Sequence, residues 1–130
     1  MAKVVLVARI LLGLIFVVFG INYFVPFIPA PEMTGPAGAF LGALAASGYL
    51  FPFMKVVDIL CGILLLVGRW VPLSLTLLAP IIVNIVLFHL FLAPEGTVMA
   101  LVILALEIFL FWAYRSSFSG VLEGGARPAV

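Results

Sequence analysis

Four stretches of the chain are each long and apolar enough to cross a lipid bilayer, and they constrain the fold more than any motif does. They run from Val4 to about Phe24, from about Tyr49 to Gly68, from about Val71 to Ala93 and from about Thr97 to Tyr114. A span needs roughly 20 mostly apolar residues at about 1.5 Å each. Hydrocarbon offers no water to exposed peptide groups, so each stretch is predicted to be a helix rather than a strand. Composition points the same way: 67% of the 130 residues are hydrophobic and 8% are charged, against about half and about a quarter in a soluble domain. So few charges cannot coat a chain of this size, and a lipid bilayer is its expected surroundings. The opening run, Met1-Ala-Lys3 followed by apolar residues, is built like a signal peptide. No A-x-A-like site closes it, and it is read as a retained first span.

The formal net charge is +1 and no Lys/Arg cluster is present. A phosphate track could not be neutralised, so nucleic acid is not an expected partner. Cys61 is the single cysteine, which excludes an internal disulfide and any zinc or iron–sulfur site built on several cysteines. Its setting, DILCGILLL, is that of a buried small thiol. No metal site is expected.

The connections between spans are unequal. Arg69-Trp70, with Pro72 beside them, and Ala93-Pro94-Glu95-Gly96 are short enough to force antiparallel neighbours. The connection after the first span is long. Pro26, Pro29, Pro31 and Pro36 are expected to keep its first half extended or turned. Its second half, AGAFLGALAASG, is too short to cross. Phe40, Leu41 and Leu44 share one helical face, and Gly38, Gly42, Ala45 and Ala46 lie near the other. The pattern predicts a short interfacial or re-entrant helix that packs its small face on the bundle. Pro52 falls in the first turn of the second span, where its missing N–H costs little. Pro80 falls inside the third and is expected to bend it. The predicted fold class is therefore all-α: a transmembrane four-helix bundle over residues 1–115, with a short helix between its first and second spans. Residues 116–130, SSFSGVLEGGARPAV, have lost the apolar period and are expected to form a partly frayed cytoplasmic tail.

Lys and Arg placement sets the orientation. With both termini in the cytoplasm, Lys3, Arg9, Arg69, Arg115 and Arg127 fall on the inner side, Glu32 and Glu95 fall outside, and only Lys55 departs from the pattern. This is the topology of a multi-pass protein of a bacterial-type inner membrane. Tyr23, Tyr49, Trp70, Trp112 and Tyr114 fall near span ends, as an interfacial belt requires.

Six polar or ionisable residues lie within the spans: Arg9, Lys55, Asp58, Asn84, His89 and Glu107. Each costs roughly 2.5–3.5 kcal/mol at a bilayer centre if charged and unpaired, so they are expected to face inward and find one another. Depth divides them. Asn22, Tyr23, Lys55, Asp58 and His89 fall in the outer third and form a candidate ligand-binding cluster, with Asp58 orienting the imidazole. Arg9, Asn84 and Glu107 fall deeper and form a candidate buried polar core: an Arg9–Glu107 ion pair completed by Asn84. Arg9, Gly13, Phe16 and Gly20 share a stripe, as do Asp58, Gly62, Leu65 and Arg69, so glycines accompany the charges where helices meet. Asn84 and His89 stand about 140° apart around their helix and are assigned to different layers. Structural readings stand beside the functional ones. A buried Arg–Glu pair fixes helix register, Asn84 serves as interhelical glue, and Lys55 snorkels. Haem is not expected, because bis-histidine ligation here needs a second chain.

ARILLGLIFVVFGINYF, GPAGAFLGALAASGYLFPFMKVVDILCGILLLVGRWVPL and LAPIIVNIVLFHLFLAPEG together resemble the DoxX-like family of small four-helix membrane proteins, from about Ala8 to Arg115. In its second helix that family commonly shows a glutamate before a Gly-rich apolar run. Asp58 occupies that place here, with Gly62 behind it, and its shorter carboxylate reaches less far. The resemblance implies a redox association, since members are linked to a thiosulfate:quinone oxidoreductase subunit and to membrane redox-defence complexes. Some distant relatives assist the assembly of other membrane proteins. A quinone is the implied small molecule, although this chain carries no dinucleotide fingerprint, cysteine pair or second histidine. Three functions compete: a redox-associated subunit binding a quinone or other apolar molecule near Asp58 and His89, a non-catalytic assembly or interaction factor with a membrane protein partner, and a proton-coupled carrier that would require a homo-oligomer.

Overall fold

Apolar runs of this length satisfy their own peptide groups by closing helical hydrogen bonds, and the computed structural model, which describes residues 1–29 and 32–130, is helical throughout its long elements. The helices are α1 (Ala2–Phe24), α2 (Gly35–Ala46), α3 (Leu50–Val67), α4 (Val71–Phe91) and α5 (Thr97–Ala113). Among the described residues there is no strand. α1, α3, α4, and α5 together with the 3₁₀ turn Pro94–Gly96 before it, are each long and apolar enough to cross a membrane. Their outer faces remain greasy: Leu60 is 58% exposed and Ile108 59%. Apolar exposure on every span is what a lipid-facing bundle requires and what a soluble one avoids.

Short reversals make α3, α4 and α5 successive antiparallel neighbours. α3 ends at Gly68, whose φ of +77° is the left-handed conformation that glycine adopts without a Cβ clash. Leu64 O accepts from both Gly68 N, at 2.9 Å, and Arg69 N, at 3.1 Å. Trp70 then takes φ 51°, a left-handed position that costs a non-glycine residue about 1–2 kcal/mol. Its ring stays exposed, with the Arg69 guanidinium 5.6 Å above it. Pro52 sits in the first turn of α3, as expected.

α1 and α3 approach closely through glycine. A Cβ added at Gly13 would stand 2.9 Å from Gly62 O, and one added at Gly20 would stand 2.6 Å from Ile59 Cγ1. Both glycines are buried, as are Phe16, Gly62 and Leu65 on the predicted stripes. α4 and α5 complete the core: Leu75, Leu78, Ile82 and Leu110 close on Leu12 and Leu65. Within α4 two hydroxyls bond back to the helix, Ser74 to Trp70 O at 3.1 Å and Thr76 to Pro72 O at 2.9 Å.

Two expectations about the connections change. Pro36 does not extend the long connection but opens α2 in its first turn, where a proline fits. Pro31 lies outside the described residues. α2 packs its large face, not its small one, on the bundle. Phe40, Leu41 and Leu44 are partly buried, whereas Gly42, Ala45 and Ala46 are exposed, and a Cβ on Gly42 would meet nothing within 4 Å. The physical reason is a hollow between α3 and α4 that long side chains can roof over: the Phe40 ring reaches to 5.7 Å from that of Phe88. Beyond Tyr114 the chain runs into a short turn. Arg115–Phe118 form a 3₁₀ turn, and Phe118, 7% exposed, sets its ring 4.6 Å from that of Phe111 at a tilt of 38°.

Candidate functional site

At the end of the bundle away from the termini, α2 lies across a hollow between α3 and α4. The hollow measures about 410 Å³. α2 contributes Phe40, Leu41 and Leu44; α3 contributes Phe51, Met54, Lys55 and Asp58; α4 contributes Pro80, Ile81, Asn84, Ile85, Phe88 and His89. The wall is mostly aromatic and aliphatic, with its polar atoms on four side chains: Lys55, Asp58, Asn84 and His89. A smaller hollow of about 260 Å³ opens between α1 and α5, lined by Ile15, Phe16, Phe19, Met99 and Ile103. Lys55, Asp58, Ile85 and His89 line both hollows. They form a septum across the bundle, with one space on each side.

The septum is electrostatically incomplete. Lys55 Nζ lies 3.8 Å from Asp58 Oδ2 and 5.4 Å from the centre of the Phe51 ring. Three residues apart on α3, the two side chains share a face. Asp58 is buried, and its Oδ1 has no hydrogen-bond partner among the described residues. Leaving such an atom unmatched is expensive where water is scarce. The atom is enclosed by its neighbours and is not presented to either hollow.

His89 is held by its own helix end and not by Asp58. Its Nδ1 lies 3.1 Å from Ala93 O. A carbonyl only accepts, so Nδ1 carries the proton and, in the neutral ring, Nε2 is left as an acceptor. Gly96 makes room for the imidazole: a Cβ there would collide with Cε1 and Nδ1 of His89. Thr97 Oγ1 also donates to His89 O, at 3.5 Å. The expected Asp58–His89 orienting bond is thus replaced by one to the backbone. α4 ends two residues after His89, and its turning chain brings a carbonyl closer than any carboxylate.

Two members of the expected outer cluster stand elsewhere. Asn22 Oδ1 accepts from Phe27 N and Ile28 N, both at 2.8 Å, and so holds the chain as it leaves α1. Tyr23 stacks on Phe51 at 5.0 Å, behind the wall of the larger hollow. Neither lines the two hollows, and both serve as supports.

The expected deep core is not assembled. Among the described residues the one ion pair is Lys55–Asp58. Glu107 is buried, and neither of its carboxylate oxygens has a hydrogen-bond partner there. Arg9 instead lays its guanidinium against Gly68. Side-chain direction explains the divergence. Side chains lean toward the N-terminus of their own helix. α1 and α5 run antiparallel, with Ala2 beside Ala113. Arg9 therefore leans toward the end holding the termini, and Glu107 leans away from it. Asn84 is exposed and lines the larger hollow with His89. Its assignment to a separate layer is thus corrected: a hollow of this size wraps more of α4 than a helix–helix seam would, so residues about 140° apart both border it. No protein-family model matches the chain, and neither does any curated protein or solved structure.

Proposed function

We propose that the protein is a multi-pass membrane protein of DoxX-like type that binds a prenylated quinone, or another apolar molecule with a small polar head, between α2, α3 and α4. The observation that carries this reading is the wall of the larger hollow: apolar on most sides, with Lys55, Asp58, Asn84 and His89 gathered on two facing helices. Ligand sites of a few hundred Å³ take this form, with hydrophobic walls and a few polar groups that orient the head. Lys55 and the Asn84 amide can donate to quinone carbonyls. His89 Nε2 can accept from a hydroxyl of the reduced form. The head would rest on the septum, and the tail would leave past Phe40 and Leu44. The redox association itself comes from the sequence resemblance, as does placement in a bacterial-type inner membrane. The cytoplasmic position of both termini rests on the distribution of Lys and Arg.

The test is binding. The protein purified in lipid nanodiscs is titrated with a short-chain ubiquinone while the His89 imidazole resonances and the thermal midpoint are followed. Saturable shifts in both are expected, and Phe40→Trp should weaken them by narrowing the hollow. No co-purified quinone, together with no shift on addition, overturns the proposal.

A second reading has its own observation. α2 turns Gly42, Ala45 and Ala46 outward, and small residues let a partner helix approach closely. An assembly or interaction factor would use this face. Photo-crosslinkers placed at Ala45 and Ala46 in native membranes should then capture a discrete membrane protein, and capture of lipid alone counts against it. A proton-coupled carrier finds less support, because Glu107 lines neither hollow bordered by Asp58 and His89.

A further inference from the structure

Just past the end of α5 a cation is held in a fixed pose in the wall of an apolar pocket. Arg115 lies two residues beyond Ala113, where α5 ends, and is exposed. Its Nη1 donates to Trp112 O at 2.9 Å, and its guanidinium lies 4.7 Å from the centre of the Trp112 ring. These two contacts set the direction of the fork while using one of its N–H donors, and the others stay available. No carboxylate among the described residues pairs with it. Glu123, in the tail that follows, is exposed and makes no ion pair.

The pocket measures about 370 Å³ and takes its walls from three places. α4 gives Thr76 and Ala79, α5 gives Phe111 and Trp112, and the tail gives Val121 and Leu122. Arg115 lines it with them, so the charge and the apolar walls belong to one space. The Thr76 hydroxyl is spent on Pro72 O at 2.9 Å, which leaves the guanidinium as the free polar group of the wall. Depth follows from the antiparallel packing, since α4 begins where α5 finishes. Counted from Val71, Thr76 lies about 7.5 Å and Ala79 about 12 Å into the span. The pocket therefore runs from headgroup level at Arg115 into the hydrocarbon. On the tail side Val121 and Leu122 are 78% and 80% exposed, and they call for an apolar cover. A cation at headgroup level attracts anionic lipid heads, and a planar guanidinium can grip a phosphate with two parallel bonds.

We propose that this pocket holds one anionic phospholipid, its phosphate on Arg115 and an acyl chain laid along Thr76 and Ala79 between α4 and α5, beneath Val121 and Leu122. The apolar walls favour a lipid over free phosphate, which would need the guanidinium alone. This site is separate from the hollow at Asp58 and His89 and does not depend on what binds there.

Trp112 reports on the pocket from its own wall. Of the two tryptophans, Trp70→Phe leaves it alone to fluoresce. The full chain with that change is placed in phosphatidylcholine bilayers, and quenching by acyl-brominated phosphatidylglycerol is compared with quenching by acyl-brominated phosphatidylcholine. Phosphatidylglycerol should win by about fivefold, the factor that about 1 kcal/mol per cation at a membrane surface implies. Inorganic phosphate should not relieve the quenching. Arg115→Gln should abolish the preference. Arg69→Gln, which removes an exposed cation outside the pocket, should leave it unchanged. Ala79→Phe should abolish it with Arg115 intact, because the new ring fills the pocket. Retention of one phosphatidylglycerol by the unaltered chain in native mass spectrometry is a second readout that needs no change at Trp70. Equal quenching by the two lipids, relief by inorganic phosphate, or equal losses from Arg69→Gln and Arg115→Gln would overturn the proposal.

Discussion

Gly13 and Gly62 face each other so closely that neither can carry a side chain. A Cβ added to either would stand 2.9 Å from the carbonyl oxygen of the other. This reciprocal contact sets the spacing of α1 and α3, and so the position of Asp58, one turn from Gly62 and on the same face.

Gly13→Ala and Gly62→Ala should each destabilise the bundle by about 1–3 kcal/mol, the usual range for overpacking. At both positions the obstructing atoms include backbone, which cannot swing aside, and at Gly62 the nearest is the stiff Val17 side chain, 2.7 Å away. Gly42→Ala, where a Cβ meets nothing within 4 Å, should be neutral or stabilising. Unfolding midpoints in a fixed detergent mixture check the contrast. Equal effects at Gly13 and Gly42 would contradict the close crossing.

The imidazole of His89 fills the space that a Cβ at Gly96 would take. Gly96→Ala should therefore displace the ring, break its bond to Ala93 O and move the His89 resonances, with a smaller effect on overall stability. Unchanged His89 chemical shifts in Gly96→Ala would show that the ring is not seated as described.

Lys55 and Asp58 should be coupled. Asp58→Asn strips Lys55 of its counter-charge, and Lys55→Met leaves a buried carboxylate without its cation. Each should cost more alone than the second change costs after the first, with a coupling energy of about 1 kcal/mol for a pair at this distance. Additive losses in a double-mutant cycle would place the pair apart.

Arg9 and Glu107 should be independent. No ion pair joins them among the described residues, so Arg9→Gln and Glu107→Gln should add to within about 0.5 kcal/mol. A coupling above about 1 kcal/mol would restore the midspan pair that the side-chain directions argue against.

Phe118 should anchor the start of the tail. Phe118→Ala removes a buried ring and should cost about 3 kcal/mol or somewhat less, given the edge position. It should also open residues 115–122 to limited proteolysis. An unchanged cleavage pattern would mean that the 3₁₀ turn holds without the ring.

The amino-acid order alone carries the four spans, their antiparallel succession, the short helix after the first and the glycine stripes. Lipid makes these features legible, because length, apolarity and internal hydrogen bonding are demanded of every span whatever it packs against. The polar residues are legible as a set and as depths, but not as partners. Depth places Arg9 and Glu107 at one level, yet the antiparallel lean of their side chains parts them. Depth also places Asn22 and Tyr23 beside Asp58, yet the chain leaving α1 engages Asn22, and Phe51 engages Tyr23. Asn84 and His89 meet around a hollow that exists only because Phe40 and its neighbours bridge α3 and α4 without filling the space between. Partnership is a matter of direction and void shape, and both are properties of assembled helices, not of any one helix read along its length.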